Sequence, residues 1–500
     1  MVESADSEKN RQQNTPNLVF VMADQFRASA MGFLGEEPVV TPNLDRMAGE
    51  GLVFTNATST MPICSPYRAM LFTGNYYTHN GVPTNCHNRS SGVKLRTNDT
   101  TLLDALAGSG YSVGYIGKWH LEEPFEPYVP LVNNAGTDGW IWEEWTPPER
   151  RHGAQFWHAY NTWDQHFMPH YWTKVSTRGE RLEVGEWSPK HETDVAIEFI
   201  ANGENMYRDP DSPFALFVSF NPPHTGYKWV PEKYKELYGD IDDADLVKLP
   251  SVIKGSTGQK GALANTRNYF ACISGVDDQF GRILRCLEQE QLKNNTLVIF
   301  TSDHGNCVGA HNCFTKGMHW VESFKIPLIL QMTGIQNDFS DVLVSPVDLF
   351  PTISGLLGLD DIFPETVHGQ DLSGAILSNA ETEPTSALYA YLPWAAADTL
   401  TYGYKGMAWG ERGVQTKNHM LVVEKIPLSD TRLLLFDMKK DPHQLENIAP
   451  GNKELILKLM NEELIPKLKS IGDDWRKIPV TASWEYPEFF REDVITDEVF

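Results

Sequence analysis

Four times in this chain a short apolar run stops at a side chain able to do chemistry. Leu18–Ala23 ends at Asp24, and Tyr111–Gly117 ends at Lys118. Phe214–Phe220 runs into Asn221-Pro222-Pro223-His224, and Thr296–Thr301 into Ser302-Asp303. Runs of this length, mostly apolar, read as buried strands. Helical segments lie between them. Thr41-Pro42 opens a helix through about Gly51, with threonine as N-cap and proline at the first helical position. Ser65–Phe72 is stopped by Thr73-Gly74, Thr101–Ala107 by Gly108-Ser109-Gly110, and Asn268–Leu292 keeps a long helical period. The alternation predicts an α/β domain with a mostly parallel central sheet between helices. In such sheets ligands sit beyond the carboxyl ends of the strands, where these four residues fall.

Five hundred residues allow two or three domains. From about residue 378 the pattern changes: Ala387–Leu392, His419–Glu424 and Arg432–Asp437 read as strands of a second sheet. A charged turn, Lys439–His443, and a helix from about Glu454 to Ser470 follow. The expected division is 15–377 for the α/β domain and 378–500 for a smaller α+β subdomain, whose final 30 residues read as a surface tail. A net charge of −24 argues against a broad nucleic-acid surface. No apolar run reaches the ~20 residues that span a bilayer. Met1–Asn17 is polar and lacks a signal-peptide core, so the chain is expected to be cytoplasmic or to have had a leader removed or replaced. Six cysteines, at 64, 86, 272, 286, 307 and 313, make no disulfide scaffold and no zinc spacing. Cys307 and Cys313 are near enough in sequence for a bridge to remain open.

Cys64 begins a helix with Arg68 one turn on, so the helix dipole and the guanidinium both favour an anion at that position. An inert helix-start cysteine fits these residues equally well. The longer pattern, Cys64-Ser-Pro66-Tyr-Arg68 through Thr73-Gly74, resembles the signature of the type I sulfatases of the alkaline phosphatase superfamily. The resemblance implies that Cys64 is oxidised by a formylglycine-generating enzyme to Cα-formylglycine, whose hydrate is the nucleophile. Asp24-Gln25 and Asp303-His304-Gly305 resemble the family's metal blocks. With position 64 they imply one Ca²⁺ per chain, a hard ion suited to carboxylate and amide oxygens, with Mg²⁺ or Mn²⁺ as alternatives. Gly117-Lys118-Trp119-His120-Leu121, Asn221-Pro-Pro-His224, and Lys316 with Glu322-Ser323 and Ile326–Ile329 resemble the blocks lining the sulfate site. Leu435–Pro442 and Glu446-Asn447 resemble the family's C-terminal block. The Asp-Gln and Asp-His variants resemble the branch with choline sulfatases, phosphonate monoester hydrolases and polysaccharide sulfatases. Asn75 stands where many members carry arginine, and Met318-His319 where tyrosine is frequent.

Cleaving a sulfate monoester brings an oxygen nucleophile to an anion, so positive charge must offset the repulsion. The expected catalytic set is Cys64, Arg68, Lys118, His120, His224 and Lys316, with His224 rather than His120 as acid to the leaving alcohol. The metal lowers the hydrate's pKa and Asp303 helps take its proton. Residues 139–189 hold seven of the 14 tryptophans together with several cationic groups. Aromatic faces stack on sugars and cations pair with sulfates or uronates, so a sulfated polysaccharide or oligosaccharide is the expected substrate. The candidate contacts are Asn85, Arg150, Arg151, His158, His170 and His319. Such a role places the protein in the periplasm or outside the cell. Three alternatives stay open: a phosphonate or phosphodiester hydrolase, a silent glycan-binding protein, and a hydrolase using unmodified Cys64.

Overall fold

The computed structural model describes residues 15–130, 139–359, 362–377, 383–392, 410–425 and 432–473. A ten-stranded sheet runs through its larger part. The strands are β1 (Asn17–Ala23), β2 (Leu52–Ala57), β3 (Ser112–Lys118), β4 (Phe156–Tyr160), β5 (His170–Thr173), β6 (Leu182–Glu183), β7 (Phe214–Phe220), β8 (Thr296–Ser302), β9 (Leu328–Gln331) and β10 (Asp338–Val344). Their order is β10-β2-β9-β8-β1-β7-β3-β4-β5-β6. The five central strands, β8, β1, β7, β3 and β4, are all parallel, so their carboxyl ends share one edge. Antiparallel pairs occur at β2/β9, β8/β9, β4/β5 and β5/β6. The sheet is thus mostly parallel, as the apolar runs predict.

Every residue of β1, β7 and β8 is buried, because helices cover both faces. Leu18, Phe20 and Met22 pack with the helices Cys64–Thr73, Leu102–Gly108 and Pro346–Leu356, whereas Val19 and Val21 face Pro42–Ala48, Ser188–Ala201 and Thr257–Gln289. Each large apolar side chain so buried contributes roughly 1.5–3 kcal/mol. A capping box between Thr101 and Asp104 starts its helix where the sequence places it. The helix placed from Asn268 begins eleven residues earlier, at Thr257, with the Ser256 side chain accepting from the Gln259 amide. Its extra turns are polar and glycine-rich because a neighbouring loop comes very close: a Cβ on Gly258 would lie 2.4 Å from Gly309 O.

A second, antiparallel sheet runs β11 (Ala387–Tyr391), β12 (Gly410–Gln415), β13 (His419–Lys425), β14 (Arg432–Asp437). β12 is absent from the sequence reading. The helix expected from Glu454 to Ser470 is interrupted by a π turn at Met460–Leu464, just before Pro466. It packs on one face of this sheet together with Met61, Ile63 and Met70 of the larger part. The division placed near residue 378, and most of the terminal tail, lie outside the described residues. No helix among the described residues is long and apolar enough to cross a membrane, and all six cysteines are free thiols.

Candidate active site

The shared carboxyl edge collects the chemistry. Asp24 follows β1, Lys118 ends β3, Asn221 follows β7, and Asp303 with His304 follows β8. The helix Cys64–Thr73 aims its amino end at this edge, so the positive pole of its dipole faces the same point. Asn85 caps it, its Oδ1 accepting from the Ser65 amide at 2.9 Å. Gly117 lets Lys118 reach the edge. It holds φ +92°, and a Cβ there would sit 2.2 Å from Ser219 O, which no side chain tolerates.

Cys64 Sγ lies 3.2 Å from Lys316 Nζ, 3.3 Å from His304 Nε2, and 3.8 Å from both Lys118 Nζ and Asp24 Oδ1. Burial and the Asp24 carboxylate oppose an anion there, but Lys118, Lys316 and His304 outweigh them and hold the thiol well below its ordinary value. The position is built for negative charge. Arg68, fully buried, donates Nε and Nη2 to Asp303 Oδ2 at 3.2 and 3.1 Å and Nη2 to Asp24 Oδ2 at 3.2 Å. Its Nη1 donates to Lys118 O and Ser219 Oγ.

A divalent cation fits these donors. Ligand atoms of Asp24, Cys64, Asp303 and His304 all lie within 4.8 Å of one another, and all four residues are buried. His304 Nδ1 donates to Gly305 O at 2.9 Å, which leaves the Nε2 lone pair facing the carboxylates. Gln25, at φ +66°, gives its Nε2 to the Tyr227 hydroxyl and turns Oε1 toward Lys316 Nζ at 3.2 Å. Two carboxylates, an imidazole nitrogen and an amide oxygen suit an oxygen-preferring ion.

Opposite the carboxylates stands His224. Its Nε2 lies 2.7 Å from Lys316 Nζ, and its Nδ1 donates to Asp164 Oδ1 at 2.8 Å. Burial and the two lysines pull His224 down, yet Asp164 and Asp24 outweigh them and its pKa is raised. His120 differs: burial, with Lys118 in the same direction, pushes it down to about 4. Among the described residues its ring nitrogens have no nitrogen or oxygen hydrogen-bond partner, and it borders the open space above Cys64. That space is a cavity of about 540 Å³ walled by Trp142, Trp163 and Trp229. Gln25, Cys64, Asn85, His120, His224 and Lys316 also line it.

Five of the expected substrate contacts are not among the residues lining this cavity, and each is engaged elsewhere. Arg150 pairs with Glu122 at 2.7 Å. Arg151 donates to Thr146 O and Lys174 O. His158 faces His191 across 3.0 Å, where burial pushes it down to about 3. His170 is buried beside Glu143 and the Trp163 ring. His319 gives Nδ1 to Glu411 at 2.8 Å in the contact with the second sheet. Trp142 and Trp163 come from the aromatic insertion, though sequence reasoning singled out neither; it missed Asp164 and Trp229, together with Asn221 as the acceptor of Lys118 Nζ at 3.0 Å.

The profile of the Sulfatase family matches residues 16–359, the stretch that carries all of these groups. The chain belongs to the sulfatase family. A second profile, N-sulphoglucosamine sulphohydrolase, C-terminal, covers residues 309–470. The endo-4-O-sulfatase of Bacteroides thetaiotaomicron is 35% identical over 490 residues, spanning 93% of this chain and 94% of that protein. The ulvan-active sulfatase of Formosa agariphila is 28% identical over 475 residues, spanning 94% and 84%. The crystal structure of the sulfatase candidate yidJ from Bacteroides fragilis superposes with a TM-score of 0.85 at 41% identity, covering 93% of this chain and 97% of that one. The present sulfatase therefore shares its fold with that structure over 93% of its length, and it is an enzyme of the sulfuric ester hydrolase class.

Proposed function

We propose that this sulfatase removes sulfate esters from a sulfated polysaccharide or oligosaccharide. The observation that carries the reading is the 540 Å³ cavity over Cys64, in which three tryptophans stand beside Lys316, His120 and His224. An aromatic wall next to a cationic floor suits a sugar ring bearing an anion. The endo-4-O-sulfatase and ulvan-active sulfatase names borne by two full-length relatives support a polymeric substrate. Such a polymer is met outside the cytoplasm, so a periplasmic or secreted location goes with the reading. The chain is read as a catalytic part, 15–377, and a smaller part, 378–500.

Asp24, Gln25, Asp303, His304 and position 64 would hold the divalent cation, calcium in this reading, which adds positive charge beside the sulfate and lowers the pKa of the nucleophile. Conversion of Cys64 to formylglycine by a maturation enzyme supplies an aldehyde hydrate, one hydroxyl to attack sulfur and one to expel sulfate. Lys118 and Lys316, which flank Sγ, bind the sulfate oxygens and offset their charge. Arg68 holds the two carboxylates and the β3 terminus in place. His224 gives a proton to the departing sugar oxygen, while His120, neutral, offers its ring nitrogens to the bound ester. Sulfate release from a panel of sulfated glycans tests the proposal. Turnover of simple aryl sulfates with no glycan desulfated would overturn the substrate class, and faster turnover of paired phosphate or phosphonate esters would overturn the sulfate preference.

A further inference from the structure

We propose that Asp164 is the positioning residue for the leaving-group acid: it fixes His224 with a proton on Nδ1 and sustains the imidazolium that delivers a proton from Nε2. The inference rests on the assignment of His224 in the proposed function.

Geometry is the first support. Asp164 Oδ1 lies 2.8 Å from His224 Nδ1. A carboxylate accepts and does not donate, so Nδ1 carries the hydrogen and the ring cannot flip without losing that bond. Nε2 is thereby turned to Lys316 Nζ at 2.7 Å, where beside an ammonium it accepts. A bound sulfate that draws Lys316 to its own oxygens frees Nε2 to take up the acid proton, and Nζ lies 3.2 Å from Sγ. The acid is thus aimed at the place where sulfate must bind.

Charge is the second. The groups facing His224 are Asp164, Lys316, Lys118 and Asp24, with His166 close behind Asp164. Lysines gathered to bind an anion also repel an imidazolium, so a site good at holding sulfate is poor at keeping its acid protonated. A carboxylate on the far side of the ring resolves the conflict. Asp164 keeps its own charge: its side chain is half-exposed, and His224 and Lys118 hold it below the usual carboxylate range.

Connection is the third. Asn221 Nδ2 donates to Asp164 Oδ1 at 2.9 Å, and Asn221 Oδ1 accepts from Lys118 Nζ at 3.0 Å. One carboxylate therefore orients the acid directly and a sulfate-binding lysine through one amide. Asp164 lies between Trp163 and Gln165, and all three line the cavity. The aromatic insertion thus contributes to the proton transfer as well as to the wall.

In the step itself the ester S–O bond breaks and its electron pair stays on the sugar oxygen, which takes the proton from Nε2. The sulfuryl group passes to the oxygen nucleophile at position 64. His224 is left neutral, with Nδ1–H still donated to Asp164, and water restores its proton before the next turnover.

The test is kcat/KM on 4-nitrophenyl sulfate, a good leaving group, and on phenyl sulfate, a poor one, for wild type, Asp164→Asn, Asp164→Ala and His224→Ala. Both Asp164 variants are expected to lose about 10–100-fold on phenyl sulfate and less than about 5-fold on 4-nitrophenyl sulfate, mainly in kcat. The ratio of the two substrates is taken on one sample, so it does not depend on the fraction folded. Equal losses on both substrates, or a rise in KM with kcat intact, would overturn the proposal and make Asp164 a structural or sugar contact. If His224→Ala itself leaves the ratio unchanged, the acid is misassigned and the proposal falls with it. A changed ratio in His224→Ala but not in Asp164→Asn rejects Asp164 alone.

Discussion

Arg68→Met tests whether one guanidinium balances the carboxylates that would hold the cation. The side chain is fully buried and makes contacts of 2.7–3.2 Å with four partners. Three of these survive its loss. Lys118 O still accepts from the Tyr115 hydroxyl at 2.6 Å, the Ser219 hydroxyl can turn, and Asp24 keeps Lys118 Nζ at 2.6 Å. Asp303 does not recover: its Oδ2 loses both Nε and Nη2, and Oδ1 keeps the Gln25 amide at 3.2 Å. Removing one partner of a buried pair costs about 3–5 kcal/mol, because the other charge is stranded. Methionine fills much of the vacated volume, so packing adds little.

With Asp24 still paired, we expect about 3–4 kcal/mol of lost stability in protein stripped of divalent ions, a shift on the order of 1 M in the urea midpoint. A cation seated on Asp24 and Asp303 replaces the missing charge, so in saturating Ca²⁺ the loss should shrink to about 1–2 kcal/mol by linkage. Tryptophan fluorescence in urea, with chelator and with Ca²⁺, measures both numbers. A loss below about 1 kcal/mol in chelator would refute the charge-balance argument. Equal losses in the two conditions would show that the cation does not sit on these carboxylates.

Three further outcomes are expected. Chelation should abolish desulfation, with Ca²⁺ restoring more activity than Mg²⁺ or Mn²⁺ at equal concentration; full activity in chelator would count against the oxygen-donor site. Trp142→Ala and Trp229→Ala should raise KM for a glycan by about 2–10-fold, the worth of a stacking contact, with aryl sulfate turnover within about 2-fold of wild type. Burial pushes Glu192, which accepts from the Tyr171 hydroxyl, up to about 8. Between about pH 4.5 and 8 the folded chain then keeps a proton that the unfolded chain gives up, so this group makes stability fall as pH rises, by roughly 1.4 kcal/mol per unit. Glu192→Gln should flatten that slope in urea titrations, and an unchanged slope would rule the residue out as its source.

What could be read from the sequence is what depends on local pattern. The buried strands announce themselves because helices on both faces demand unbroken apolar runs, and the residues after them fall at the site because parallel strands share an edge. β12 escaped because Gly410–Gln415 is not apolar. Its Arg412 is buried against Asp473 and its Glu411 accepts from His319 and Tyr389, so internal pairing replaces hydrophobicity. Which way the basic residues of the insertion face was illegible for a related reason. Composition tells how many cations a segment holds but not which way they face, and here Glu122, His191, Glu143 and backbone carbonyls take them. Asp164 gave no local sign, since its partner lies 60 residues further along the chain.

The charges at the edge explain why a chain of net −24 can still take an anion. Arg68, Lys118 and Lys316 stand against Asp24 and Asp303, three fixed cations to two carboxylates, leaving one positive charge before any metal binds. A divalent cation raises this to three, enough for a sulfate ester and an ionised nucleophile together with one to spare. Charges beyond about 8 Å are screened at physiological salt, so the acidic exterior does not reach inside. The spare positive charge is what a protonated His224 would have to meet, and a site with no counterweight would hold its substrate and stall at the proton transfer. Asp164 supplies that counterweight from outside the strand ends. In the proposed mechanism this accounts for a carboxylate in an otherwise aromatic and cationic wall, and it would make the insertion as necessary to leaving-group departure as the strand ends are to sulfate binding.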